Sequence, residues 1–211
     1  LQHKSQFVII DFNGEYTEDQ LLPAKNKQIT VLDSKKAKHK FKIEGAHFWD
    51  VETLSLLFQA TTNTQQPFLR RVLSGKEKFK TTPLKRYVEK VFEKVFSTGE
   101  AKSDALDLSR EIARMIDCEL LQEHLKGIIY YNKDKYFKHA SGTYYNSNGN
   151  GFDANIKPII DESVNLDGID QFDELILRCY LQLCSDVVFG YAQYEHIQPV
   201  LARAKSSISA L

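Results

Sequence analysis

Thr82-Pro83-Leu84-Lys85-Arg86-Tyr87-Val88-Glu89-Lys90-Val91-Phe92-Glu93-Lys94-Val95-Phe96 reads as an amphipathic helix. Leu84, Val88, Val91 and Val95 recur at i, i+4, i+7 and i+11, which makes one apolar stripe with Phe92 and Phe96 beside it. Pro83 suits a helix start, where its missing N–H has no intrahelical partner to lose, and Gly99 supplies a stop. A stripe of this width must be covered by other helices. The segment therefore predicts a bundle.

The same spacing extends in both directions. Asp50 can cap a helix carrying Val51, Leu54, Leu57 and Phe58. Pro67 opens another, with Phe68, Leu69, Val72 and Leu73 on one side and Gly75 as its stop. Beyond Gly99, Ser103 begins a long helix with Leu108, Ile112, Met115, Ile116, Leu120, Leu125 and Ile129 inward. Residues 132–167 break the pattern. Tyr136-Phe137-Lys138 and Thr143-Tyr144-Tyr145 suit short strands, and Asn146-Ser147-Asn148-Gly149-Asn150-Gly151 suits a flexible tip. Two helices close the chain, one marked by Phe172, Ile176, Cys179, Leu183 and Val187 and ended by Gly190. The other carries Ile197, Val200, Leu201, Ala204, Ile208 and Leu211.

The first residues read differently. In Phe7-Val8-Ile9-Ile10-Asp11, four apolar residues in succession suit a strand buried on both faces, as in a parallel sheet. Asn13-Gly14 provides a turn after it, and further strands fit residues 28–32 and 40–43. The expected architecture is α/β dominated by helices: a few strands over residues 1–46, then a mainly helical bundle over 47–211 with an irregular segment at 132–167.

Hydrophobic residues make up 42% of the 211 and charged residues 27%, the balance of a globular chain with a real core. Lys plus Arg equals Asp plus Glu, 28 each, so nucleic-acid contact would have to come from a local patch. Cys118, Cys179 and Cys184 are odd in number and form no CxxC pair, which predicts reduced thiols and a cytoplasmic setting. The chain begins without Met and runs almost at once into the strand pattern, which reads as an internal piece of a longer protein.

Chemistry is concentrated in Asp11-Phe12-Asn13-Gly14-Glu15-Tyr16. An acidic residue at the carboxyl end of a parallel strand is where α/β folds place ligand-facing groups, and it can hold Mg²⁺ or orient a water. The alternative is that Asp11 caps a turn in which Gly14 is left-handed. Lys35, Lys36, Lys38 and Lys40 are candidate DNA-phosphate contacts, or else a solvated edge. Ser163, Asn165, Asp167, Gly168 and Glu174 mimic an EF-hand loop, but position 1 lacks its Asp and Asp170 stands where an apolar residue normally packs. His3, His39, His47, His124, His139 and His196 show no zinc-ligand spacing, and neither a G-x-x-x-x-G-K-[ST] loop nor a G-x-S-x-G nucleophile motif occurs.

The run from Phe7 to Tyr16 resembles the strand that follows the P-loop helix in HerA-type ATPases of the HerA–FtsK superfamily, where Asp-x-x-Gly-Glu-Tyr is typical. Asp11, Gly14, Glu15 and Tyr16 match, whereas Phe12 and Asn13 stand where Pro and His are common. Thr64-Gln65-Gln66-Pro67-Phe68-Leu69 is similar to the family's Gln-containing helix start. Ile197-Gln198-Pro199-Val200-Leu201-Ala202-Arg203 is similar to its return helix. The resemblance implies a P-loop NTPase sheet with an inserted helical bundle, in an ATP- and Mg-dependent DNA translocase or helicase that forms a homo-hexamer. It also implies a role in DNA-end processing or antiphage defence, alongside a nuclease or other effector. Asp11 and Glu15 would be the catalytic acids, with Asp11 on the metal. The P-loop would precede Leu1 and the Walker B strand would follow Leu211, leaving no phosphate-binding residues here. A non-enzymatic helical interaction module is the competing reading.

Overall fold

The computed structural model describes residues 8–11, 14–31, 45–97, 100–132, 142–146 and 156–209. The chain divides into two compact units, Leu1–Ile43 and Glu44–Leu211.

In the first unit, the strand expected over residues 7–11 is not formed at its described positions. Residues 8–11 are irregular, and Val8, Ile9 and Ile10 are 89%, 55% and 77% exposed. Residues 28–31 are likewise irregular, with Ile29 and Val31 exposed. An apolar run becomes a buried strand only when neighbouring strands satisfy its backbone and cover its faces. The described residues of this unit supply neither. One short 3₁₀ turn, Ala24–Asn26, is its only helical element among them. The strand expected at 40–43 lies outside the described residues.

The second unit is helical. Its elements are α1 (Gly45–Phe48), α2 (Val51–Leu57), α3 (Gln65–Lys78), α4 (Leu84–Ser97), α5 (Ser103–Met115) and α6 (Glu119–Lys126). A hairpin of β1 (Ile128–Asn132) and β2 (Gly142–Asn146) follows, then α7 (Lys157–Ser163), α8 (Gln171–Phe189) and α9 (Tyr194–Ser209). The caps explain several boundaries. Asp50 accepts from the Thr53 N–H at 2.9 Å to start α2, and Asp170 accepts from the Phe172 N–H at 2.8 Å to start α8. Gly190, at φ 74°, closes α8 in the left-handed conformation that glycine adopts without strain.

α8 is the axis of this unit. Leu175, Leu177, Cys179, Leu181, Leu183 and Cys184 point in all directions around it, yet each is buried, because α3, α4, α5 and α9 surround it. Val88, Val91, Phe92 and Val95 bring the stripe of α4 into this core as the spacing predicts, and α7 covers another side of α4.

Two expectations are corrected here. Gly75 does not stop its helix but lies within α3, which runs on to Lys78. The long helix from Ser103 breaks into α5 and α6, with Asp117 left-handed at φ 49° between them, and is followed by β1. Asp is among the residues that tolerate that conformation. Leu120, expected inward, is exposed because α6 buries Leu121 and Leu125 instead, and Ile129 is exposed because it lies in β1, where burial alternates from Ile128. The hairpin is antiparallel, with Tyr130 opposite Tyr144 and Asn132 opposite Gly142. A Cβ on Gly142 would sit 2.0 Å from the Tyr130 ring, so only glycine fits there.

Candidate functional site

The Asp11 motif forms a tight local turn. One Asp11 carboxylate oxygen accepts from the Gly14 N–H and the other from the Tyr16 N–H, both at 2.9 Å. Gly14 is left-handed at φ 75°, and its carbonyl accepts from the Thr17 hydroxyl at 3.1 Å. Two charge-assisted bonds from N–H groups of the same turn hold the carboxylate in one orientation. Glu15 projects into solvent between them. The Lys27 ammonium then gathers the carbonyls of Tyr16 (2.9 Å), Glu18 and Gln20 (3.2 Å), closing the loop beyond the motif. Leu21 carries the strain of this closure at φ 62°, unusual for a bulky side chain.

Magnesium at a nucleotide site asks the protein for one or two carboxylates and takes its other ligands from phosphate and water. Asp11, its carboxylate fixed by the Gly14 and Tyr16 N–H groups, fits that modest requirement. Among the described residues no group of three His, Cys, Asp or Glu could hold a metal ion alone. The EF-hand mimic is not assembled as a ligand set. Asn165 Oδ1 accepts from the Asp167 N–H at 2.9 Å, while Glu174 is committed to two cations elsewhere. Lys35, Lys36, Lys38 and Lys40 lie outside the described residues.

The acids of the helical part do not all lie on exposed faces. A polar layer runs between α3, α4 and α8. Asp186, 1% exposed, accepts from Arg71 Nε at 2.9 Å and Nη2 at 2.8 Å with one oxygen, and from Gln182 Nε2 at 2.7 Å with the other. Gln182 Oε1 accepts from the Tyr87 hydroxyl at 3.4 Å, and burial pushes that phenol up to about 12. Further back along α8, Glu174 Oε1 accepts from Lys76 Nζ at 2.8 Å and Arg178 Nε at 2.7 Å. Burial raises the Glu174 pKa, but the bonds from Lys76 and Arg178 outweigh it and leave the carboxyl below its ordinary value. Lys76 also sits 3.7 Å from the centre of the Trp49 ring. The i,i+4 spacings of Glu174, Arg178, Gln182 and Asp186 were the available signal, one polar line on an otherwise apolar helix.

The two loosely matching segments meet in space. Gln65, buried at the start of α3, donates to the His196 carbonyl at 3.0 Å and accepts from the Thr61 N–H at 3.1 Å. Arg203 of α9 donates to the carbonyls of Phe58 (2.6 Å) and Gln59 (3.2 Å) at the end of α2. These residues fix the α2–α3 turn.

Cys179 and Cys184 are fully enclosed, and burial pushes both thiols up to about 12, as suits structural rather than reactive sulfur. No helix among the described residues is long and apolar enough to cross a membrane. No protein-family model, curated protein or solved structure matches this chain.

Proposed function

We propose that this chain is part of a HerA-type, ATP-driven DNA translocase, joining one corner of its nucleotide site to a helical bundle. The observation that carries the reading is the Asp11-x-x-Gly14-Glu15-Tyr16 motif, whose Asp11 carboxylate is oriented by the Gly14 and Tyr16 N–H groups. The bare apolar run Val8-Ile9-Ile10 supports it. Such a surface suits a strand whose sheet partners are not among the described residues. In this reading residues 7–11, 28–32 and 40–43 join a P-loop NTPase sheet.

Bound ATP and Mg²⁺ would supply the transferable phosphoryl group and its charge neutralisation. Asp11 would hold the metal or orient the attacking water, and its two backbone donors keep it from turning away. Glu15 is the second acid. The phosphate cradle is not encoded in this sequence, so the 211-residue chain alone is expected neither to hydrolyse ATP nor to bind it measurably. The working protein would be a cytoplasmic homo-hexamer on DNA, serving DNA-end processing or antiphage defence beside a nuclease or other effector. The bundle would contribute assembly and partner contacts. Light scattering on the 211 residues should report a monomer or weak dimer, because the nucleotide faces that build a ring are missing.

The deciding experiment is ATP turnover in the protein that contains this chain together with a P-loop segment. Asp11→Asn keeps the turn's shape and removes the charge, and turnover should fall about a hundredfold. Undiminished turnover would reduce Asp11 to a turn cap. A second reading, a non-enzymatic helical interaction module, draws on the self-contained core of Glu44–Leu211, and would gain if no P-loop is encoded upstream.

A further inference from the structure

We propose that the solvent face of α4, with the end of α3 and the end of α8 beside it, is a binding surface for single-stranded nucleic acid. Residues 70–94 contain nine Lys or Arg against three Glu, inside a chain whose net charge is zero. Their positive field is therefore local. Part of it is neutralised, by the partly buried pairs of Arg71 and Lys76 and by the surface pairs Lys80–Glu77 and Arg86–Glu89. Lys78, Lys90 and Lys94 remain exposed, with Glu93 the one exposed acid on α4.

Each of these three lysines lies beside an aromatic ring. Lys78 and Lys90 stand 5.7 Å and 5.3 Å from the centre of Phe79, and Lys94 stands 5.5 Å from the centre of Phe189. Phe189 lies 6.0 Å from Tyr191, and the two rings are 52% and 71% exposed. Lys90 and Lys94 are one helical turn apart, so they link the lysines at Phe79 to the bare Phe189–Tyr191 pair along one face. Rings this bare are a cost to the folded chain in water unless something stacks on them. An acidic peptide would use the lysines and leave the rings unused, whereas a single strand offers a phosphate and an unstacked base at every step. A duplex hides its base faces and would meet only the lysines. The ridge belongs to Glu44–Leu211 and does not depend on the ATPase reading, because it needs no nucleotide and none of the Asp11 motif.

The test is fluorescence anisotropy on the 211-residue chain with labelled twenty-mers of dT and rU and a duplex of equal length, titrated at several salt concentrations. Both single strands should bind more tightly than the duplex, and the dT and rU arms decide which strand is preferred. Lys90→Gln with Lys94→Gln should weaken binding about tenfold and flatten the salt dependence, by roughly 0.7 in slope for each phosphate no longer neutralised. Phe189→Ala with Tyr191→Ala should weaken it about tenfold with the salt slope unchanged, which is the mark of stacking. A quadruple Gln variant of Lys35, Lys36, Lys38 and Lys40 should still bind. Melting curves establish that each variant is folded. The proposal is overturned by no binding at low salt, by equal affinity for duplex, or by polyglutamate competing as well as unlabelled strand. Loss of binding only in the Lys35–Lys40 variant would overturn it equally.

Discussion

Arg203 and Gln65, 138 positions apart in sequence, meet with Nη2 2.8 Å from Oε1, and the same guanidinium reaches the carbonyls of Phe58 and Gln59. Gln59 is held left-handed at φ 48°, so one side chain of α9 caps the end of α2 and steadies a strained residue. Arg203→Ala should lower stability by about 1–2 kcal/mol, because it removes these hydrogen bonds and leaves carbonyls unsatisfied. Arg203→Lys should recover little of this, because an ammonium cannot span three acceptors in a fork. Urea unfolding with an unchanged slope and a lower midpoint would show it.

The Arg71–Asp186 pair should respond unequally to removal of its two ends. Asp186 is 1% exposed, whereas the Arg71 side chain is 37% exposed and can turn to water when left alone. Arg71→Ala strands a buried carboxylate and should cost about 3–5 kcal/mol. Asp186→Asn keeps an acceptor for Gln182 and should cost about 1–2 kcal/mol. Equal losses in denaturant melts would contradict this account of the polar layer.

Glu174 gives the fold an acid limb. Its folded pKa lies below the ordinary glutamate value, so its contribution is complete above that ordinary value and is lost as pH falls through the lowered one. Glu174→Gln should flatten the decline of melting temperature with acid, while lowering stability at neutral pH by releasing Lys76 and Arg178. A parallel pair of pH profiles for wild type and variant would show that Glu174 is not linked to folding.

Gly75→Ala should stabilise the protein. The site is interior to α3, and an added Cβ would meet Gln182 Oε1 at 3.6 Å and the Tyr87 hydroxyl at 3.9 Å, both ordinary contacts. Replacing a helix-interior glycine restricts the unfolded chain and should add about 0.5–1 kcal/mol. A lowered melting temperature would mean that the polar layer has no room for a methyl group.

Helical periodicity made the bundle legible because each stripe recorded the burial it required. Val88, Val91 and Val95 are buried where their spacing placed them, and Asp50 and Gly190 cap the helices they were expected to bound. Periodicity misled at Leu120, because the break at left-handed Asp117 leaves no mark on the pattern, and at Ile129, because the helical period was carried into a strand that alternates with period two. Val8, Ile9 and Ile10 show the limit of strand reading, since a strand exists through its neighbours and those are not local. The turn at Asp11 and Gly14 was legible as the alternative to a catalytic role, and its geometry is compatible with both. The polar layer was missed because Arg71 and Asp186 are 115 residues apart, and no local rule pairs them.

The place of α8 in the chain sets a schedule for biosynthesis. α3, α4 and α5 are made first, with their apolar stripes complete, but the helix that covers all three is encoded only at residues 171–189. At roughly 5–20 residues per second, the stripe of α3 waits several seconds for its cover. During that interval Phe68, Leu69, Val88 and Val91 have only α2, α5, α7 and one another, or a chaperone, to cover them. A ribosome stalled before residue 171 should therefore carry a sticky, protease-sensitive nascent chain, and one stalled beyond α9 a compact one.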